Sequence, residues 1–339
     1  MGSDLRDIIE KKEIELKELF GKTIAIDAYN TLYQFLSIIR QPDGTPLMDS
    51  QGNITSHLSG LLYRTTNLVE SGIKPVFVFD GKPPEFKAQT IKERAEIRGL
   101  SERRWIAARA IGGEDAFKYA QASSRLNDQI IGDAKALLDY MGIPCIQAPS
   151  EGEAQAAFMA INGDANAVGS QDYDALLFGA PNVVRNLTIT GRRKLPGKNI
   201  YIDVKPEMLE LNPILDALGI TSKQLIEIAI LVGTDYNEGI KGIGPKTALR
   251  LIQKHGAIEG VLAELNDYIE NFDVIRDFFL YPEITSTYKI EWQKPNEDLI
   301  IKFLCNQHDF SEERVEKVLE RLTEASAQKQ KTLDQWGNK

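Results

Sequence analysis

Lys22-Thr23-Ile24-Ala25-Ile26-Asp27 and Lys74-Pro75-Val76-Phe77-Val78-Phe79-Asp80-Gly81 are the stretches whose reading decides the fold. Each is a short run of β-branched and aromatic residues with no polar alternation. Such a run predicts a strand buried on both faces, as in a largely parallel sheet covered by helices. Each run also closes on an aspartate, which an apolar strand end tolerates only if the carboxylate is paired or metal-bound.

Working outward, residues 54–71 predict an amphipathic helix between these strands, and residues 6–20 show a charged helical pattern. Residues 127–141 predict a helix stopped by Gly142. Pro144-Cys145-Ile146-Gln147 reads as a brief strand, a helix opens at Ser150, and Ala165–Ser170 is a strand leading into Gln171-Asp172-Tyr173-Asp174. Residues 183–190 and 199–204 are β-like around a basic turn, and 222–232 and 245–255 are helical. From 82 to 130 there is no strand signal. That segment is charged and helical in composition, broken at Gly99 and Gly112-Gly113, and predicts an insertion carried on the sheet. Residues 325–339 are polar and predict a mobile tail. The fold class expected is α/β: a largely parallel central sheet flanked by helices, with a helical insertion.

The chain has 339 residues and a net charge of −9. No run has the length and apolarity of a membrane span. Met1-Gly2-Ser3-Asp4 lacks the basic and apolar regions of a secretory signal. Cys145 and Cys305 form no disulfide framework, and reduced thiols in the cytoplasm are the expectation. An acidic chain argues against nucleic acid until its charge is mapped. Residues 82–109, 185–205 and 241–254 together carry +13, leaving −22 on the rest.

Seven acids recur at matching places: Asp27 and Asp80 at strand ends, Glu151 and Glu153 at a helix start, Asp172 and Asp174 after a strand, and Asp235 after the helix 222–232. In a parallel sheet the carboxyl ends of the strands face the ligand crevice. Crowded carboxylates raise one another's pKa, and a divalent cation relieves that. Oxygen donors without His or Cys suit Mg²⁺ or Mn²⁺ rather than Zn²⁺. So many carboxylates would serve two ions holding a scissile phosphate. Ser150 and Glu153 also have the spacing of a capping box, so a purely local use of Glu153 stands beside the metal reading. Gly242-Ile243-Gly244-Pro245-Lys246 ahead of a helix lets backbone N–H groups approach a phosphate, with Lys241 and Lys246 adding charge. An ordinary helix–turn–helix packing element has the same pattern.

The sequence resembles the flap endonucleases of archaeal type over nearly its whole length. The matching motifs are Ile26-Asp27-Ala28 with Tyr33-Gln34-Phe35-Leu36; Val78-Phe79-Asp80-Gly81-Lys82-Pro83-Pro84; Ala148-Pro149-Ser150-Glu151-Gly152-Glu153-Ala154-Gln155; Ser170-Gln171-Asp172-Tyr173-Asp174; Arg185-Asn186-Leu187-Thr188; and Gly233-Thr234-Asp235-Tyr236 followed by Gly242-Ile243-Gly244. The opening after Met1-Gly2 departs from the family's more usual one. The resemblance implies a structure-specific 5′-flap endonuclease with 5′-3′ exonuclease activity, acting in replication and repair. It implies that all seven acids hold two Mg²⁺ ions, with Mn²⁺ as a substitute. It makes Lys87 and Arg94 the catalytic basic residues of a helical arch over 82–130, and makes Tyr33, Arg40, Arg64, Gly233, Lys241, Gly242, Gly244 and Lys246 DNA contacts.

On the same footing the chain divides into an N-terminal nuclease segment 1–98 and an internal one, 115–257, containing a helix–hairpin–helix unit at 222–256. A C-terminal helical part, 258–325, follows. Gln330, Leu333 and Trp336, within 330–338, match a peptide that binds a ring-shaped sliding clamp (PCNA), although Gly337 stands where a second aromatic is usual. The expected partners are branched DNA with a 5′ flap and the clamp, with no membrane, and a monomer is expected. Three other readings remain: a non-catalytic scaffold that binds DNA and the clamp, a related nuclease of different substrate geometry, and an RNA-cutting nuclease of similar sheet topology. The completeness of the acid set weighs against the first, the compact spacing between Asp80 and Glu151 against the second, and the Gly242-Ile243-Gly244 unit against the third.

Overall fold

The computed structural model describes residues 3–84, 87–110, 119, 121, 124–189, 191–194 and 201–337, without the side chains of 88–95, 109–110, 191–194, 201–203 and 326–337. The strands are β1 (Lys12–Glu13), β2 (Thr23–Asp27), β3 (Lys74–Phe79), β4 (Cys145–Gln147), β5 (Ala167–Gly169), β6 (Asn182–Arg185), β7 (Gly191–Lys194), β8 (Tyr201–Val204) and β9 (Glu207–Glu210). Seven of them form one sheet in the order β1-β9-β6-β5-β2-β3-β4, and β7 and β8 form a separate hairpin. The pairs β2–β3, β2–β5, β3–β4 and β5–β6 are parallel; β9 and β1 close one edge antiparallel.

Side chains alternate across each strand, and the sheet therefore builds a core on each face. Ile24, Ile26, Phe77, Phe79 and Val184 pack on one side with Leu32, Phe35, Leu62 and Leu137. Ala25, Val76, Val78, Val168 and Val183 pack on the other with Ala156, Met159, Ile228 and Ile230. Residues 281–296 carry the chain from the second core to the first. Along this passage Trp292 Nε1 donates to Pro75 O (2.9 Å) and Gln293 N to Gly142 O (2.9 Å). Gln155 and Thr285 exchange two bonds, of 2.8 and 2.9 Å.

The buried strands and their helices lie where the pattern puts them; five other segments differ. Residues 6–20 are not a helix. Leu5 and Ile9 are buried in one core and Ile14 and Leu19 in the other, so the segment must pass the sheet edge. It does so as β1, with Ile14 N donating to Pro206 O (2.9 Å), and then as the 3₁₀ turn Leu16–Leu19. Within 54–71 the helix includes a π-helical stretch at Leu61–Thr65. Gly99 does not break the insertion: the helix Ala88–Ala110 runs through it, since one glycine costs a helix only about 1 kcal/mol. Gly112-Gly113 lies outside the described residues. The β-like region 183–204 divides between β6, in the main sheet, and the β7–β8 hairpin, while β9 gave no signal because a strand of four residues is too short to show a period. The backbone of the tail continues the helix Glu312–Gly337.

Gly60 sits against Phe35, where a Cβ would lie 2.3 Å from the ring carbon Cγ. Its φ of −59° is ordinary, so the constraint is purely steric. Phe35 is fully buried and has nowhere to swing. Gly60→Ala is expected to destabilise the protein by about 1–3 kcal/mol, the usual cost of overpacking a core. Urea unfolding measures this; a variant as stable as the parent would show that the interior yields there.

Candidate active site

Asp27 is the last residue of β2 and Asp80 directly follows β3, its parallel neighbour, so both acids emerge at one carboxyl edge. β5, on the other side of β2, leads through Ser170 to Asp172 and to Asp174, the first residue of the helix Asp174–Leu177. β4, beyond β3, leads to Glu151, which caps the helix Gly152–Ile161 just ahead of Glu153. Asp235 follows the helix Ser222–Val232. Gly233 turns the chain there at φ 112°, and Thr234 N bonds Asn237 O (2.9 Å).

The carboxylates feel one another. Burial, and then the charge of Asp80, hold Asp27 well above the usual carboxyl range. Burial and Glu151 push Asp80 up to about 6. Burial and Asp235 push Asp174 up to about 7. Glu153 rises through burial and the charges of Asp27, Asp174 and Asp172. These fields link all seven acids predicted from sequence into one cluster.

Lys87 stands at its mouth, donating to Glu151 Oε1 (2.8 Å) and Oε2 (2.6 Å). Its ammonium lies 5.5 Å from the ring centre of buried Tyr236. Glu151, with Asp80 and Asp235, holds the Lys87 pKa up against the opposing effect of burial.

Several acids lean on donors of their own. Asn30 N bonds Asp27 (3.0 Å) and Asn30 Nδ2 bonds Asp172 (2.9 Å). Gly152 N bonds Asp80 Oδ1 at 2.8 Å, and a Cβ on Gly152 would lie 2.6 Å from that same oxygen. Ser170 Oγ donates to Glu153 Oε1 (2.5 Å) and Ser3 N to Asp174 Oδ1 (2.9 Å). Among the described residues no three acids enclose one point as a finished ion cage. The capping box does not form: the helix has no side-chain cap, and Glu153 bonds Ser170 instead.

Sequence reasoning missed Ser3, Asn30 and Ser170 as partners of the acids. Asn30 could have been found, being three residues after a strand-end Asp that caps a helix. Ser3 could not, because only the fold brings it to Asp174.

The other predicted residues fall in different surroundings. Tyr33 is half-buried on the helix Ala28–Ile38, with the Arg98 guanidinium 5.8 Å from its ring centre. Arg40 turns its donors inward, to Leu36 O, Gly44 O and Ser124 Oγ at 2.8–2.9 Å, and so braces the chain in this state. Arg64 is half-buried in the π-helical stretch. Lys241 and Lys246 are exposed on either side of Gly242 and Gly244, which caps the helix Pro245–His255. A Cβ on either glycine would meet nothing within 4 Å, so packing does not require glycine there on grounds of space. Of the basic patch 185–205, Arg185 and Lys205 pair with Glu207 and Glu15 inside the chain. Arg94 lies in the helix Ala88–Ala110, and Gln330, Leu333 and Trp336 lie in the helix Glu312–Gly337; their side chains are outside those described.

Residues 3–101 match the XPG N-terminal domain and residues 142–235 the XPG I-region. The chain is 62% identical to flap endonuclease 1 of Methanocella arvoryzae, over 99% of this chain and 100% of that one. Among solved structures it is similar to flap endonuclease-1 from Methanococcus jannaschii, with TM-score 0.78 and 42% identity over 97% of this chain and 100% of that one. It is also similar to the catalytic core of Rad2 in complex with DNA substrate, with TM-score 0.72 and 25% identity over 95% and 100%.

Asp174 offers a test of the electrostatics. Its folded-state pKa of about 7 lies above the ordinary 3.8. The folded state thus binds its proton more tightly, and stability from this group is lost as pH rises from about 4 to 7. In metal-free buffer, Asp174→Asn keeps an acceptor for Ser3 N. It is expected to be more stable than the parent at pH 8 by about 1–3 kcal/mol, with the difference vanishing towards pH 4. Denaturant titrations in EDTA at the two pH values measure it, and a less stable variant at pH 8 would contradict the repulsion.

Proposed function

We propose, since this chain belongs to the flap endonuclease family and is a structure-specific nuclease of it, that it hydrolyses one phosphodiester at the base of a 5′ single-stranded flap. Removal of nucleotides from 5′ ends would accompany this, in DNA replication and repair. The observation that carries the reading is the convergence of seven carboxylates and Lys87 at the carboxyl edge of one parallel sheet.

The donor set fits a hard divalent cation. It is all oxygen, and burial and crowding hold Asp27, Asp80, Glu153 and Asp174 up towards the protonated form, a tension that a cation relieves. Asp27, Asp80, Glu151, Glu153, Asp172, Asp174 and Asp235 would hold two Mg²⁺ ions, directly or through water, with Mn²⁺ as a substitute. When bound, such ions act as Lewis acids on the phosphate and lower the pKa of the attacking water.

The chain's own residues do the rest. Lys87 brings a positive charge to the place where phosphate charge develops, and Arg94 would act with it from the same helical insertion. Tyr33, beside Arg98, offers a face for a base near the cut. Lys241 and Lys246, with the open backbone at Gly242 and Gly244 and the turn at Gly233, would hold duplex phosphates without reading sequence. Arg64 would add a backbone contact, and Arg40 would do so once released from its carbonyls. Gln330, Leu333 and Trp336, on the terminal helix, would dock on the sliding clamp, more weakly than a motif with an aromatic at position 337. The enzyme would act as a monomer.

Cleavage of labelled 5′-flap, 3′-flap and single-stranded DNA tests the reading. Only the 5′ flap should be cut at its base, and only with metal. Asp172→Ala should abolish cleavage with flap binding retained, and Lys87→Ala should lower the single-turnover rate on the order of 10²-fold with little loss of affinity. Near-parental turnover by Asp172→Ala would remove the metal assignment. Lys241→Ala with Lys246→Ala should weaken all duplex sequences alike and flatten the salt dependence by roughly one to two units of slope. A sequence-dependent loss in that assay would contradict backbone recognition.

A further inference from the structure

Arg185 ends β6, one strand over from β5, and so emerges at the same carboxyl edge as the acids. Its guanidinium is not turned to solvent. Nε donates to Gln171 O (3.0 Å), and Nη1 donates to the Tyr173 hydroxyl (2.7 Å) and, at 3.4 Å, to Glu207 Oε2. The guanidinium carbon also lies 4.5 Å from the Tyr173 ring centre. Glu207 is held from its far side by Lys11 Nζ (2.6 Å), which ties the arrangement to the edge pairing of β1 with β9.

Arg185 therefore grips the residues on both sides of Asp172, and Tyr173 in turn is bonded along the chain to Asp174. These two acids carry like charge, sit two residues apart and would tend to splay. We propose that Arg185 is the positioning residue that fixes the Gln171–Asp174 loop, so that Asp172 and Asp174 face the cluster in the orientation a divalent cation needs. Arginine suits the task because its rigid fork reaches a carbonyl and a hydroxyl at once, which an ammonium cannot do in fixed geometry. Tyr173 supplies both a hydroxyl and a ring face to the same guanidinium. The inference rests on the reading of the acids as metal holders.

Titration calorimetry of the DNA-free protein with Mn²⁺, and with Mg²⁺ in competition, tests it. The parent should bind metal; its failure to do so would overturn the metal reading itself, and the inference with it. Arg185→Met should weaken metal binding on the order of 10–100-fold, the usual loss when a group that orients a metal ligand is removed. Arg185→Lys should recover little of that, since charge alone does not restore the fork. Tyr173→Phe keeps the ring and loses one bond, and should weaken metal binding by a few-fold, about 3–10. Flap affinity in EDTA should stay at the parental value in all three, and excess Mg²⁺ should bring the cleavage rate of Arg185→Met back towards the parent. Metal affinity within twofold of the parent in Arg185→Met would refute the positioning role, whatever its melting temperature. Should Arg185→Met fail to fold, parental metal affinity in Tyr173→Phe would refute it equally.

Discussion

Repulsion among the carboxylates at one sheet edge is the constraint on which the rest of the structure depends. Buried acids with raised pKa values oppose folding, because ionising them inside the protein costs more than in the unfolded chain. The protein tolerates this by giving several of them a local donor: Asn30 for Asp27 and Asp172, Gly152 N for Asp80, Ser170 for Glu153, and Ser3 N for Asp174. Lys87 adds a whole charge at Glu151. A site assembled this way is stable enough to persist and unfavourable enough to favour cations, the familiar tension between stability and activity.

The remainder of the fold is arranged to hold that edge still. Two apolar cores clamp the sheet from both faces, and each fully buried Phe or Ile contributes about 1.5–3 kcal/mol by leaving water. The crossing segment 281–296 fastens the two halves together through Trp292, Gln293 and Thr285. Glycines admit the close approaches the edge requires. Gly81 is one: a Cβ there would lie 2.3 Å from the carbonyl oxygens of Ala148 and Pro149.

Charge is divided by task. Acids gather at the strand ends, while Lys241, Lys246 and Arg250 are exposed along the Gly-rich turn and its helix. The net charge of −9 therefore says little about which surface a polyanion would meet. Other basic residues turn inward. Arg185 holds the Gln171 carbonyl and Tyr173, and Arg40 braces Leu36, Gly44 and Ser124.

Sequence alone determined the buried strands and their parallel arrangement, because runs such as Val76–Phe79 leave no polar face and so must be covered twice. It also placed Asp27, Asp80, Glu151, Glu153, Asp172 and Asp174 together, since a parallel sheet sends every strand end to one edge; Asp235, which follows a helix, joined them through the family resemblance. What it could not determine was anything resting on partners far along the chain. The capping-box spacing of Ser150 and Glu153 was real, yet Ser170 took the carboxylate, and no local pattern records that competition. Residues 6–20 have helical spacing, but their apolar side chains serve opposite faces of the sheet, which a single straight helix could not reach. Ser3 against Asp174 and Arg185 against the Gln171–Asp174 loop exist only once β5, β6 and the N-terminus meet. Periodicity reports which face a residue must bury; only the packed sheet decides which polar group waits there.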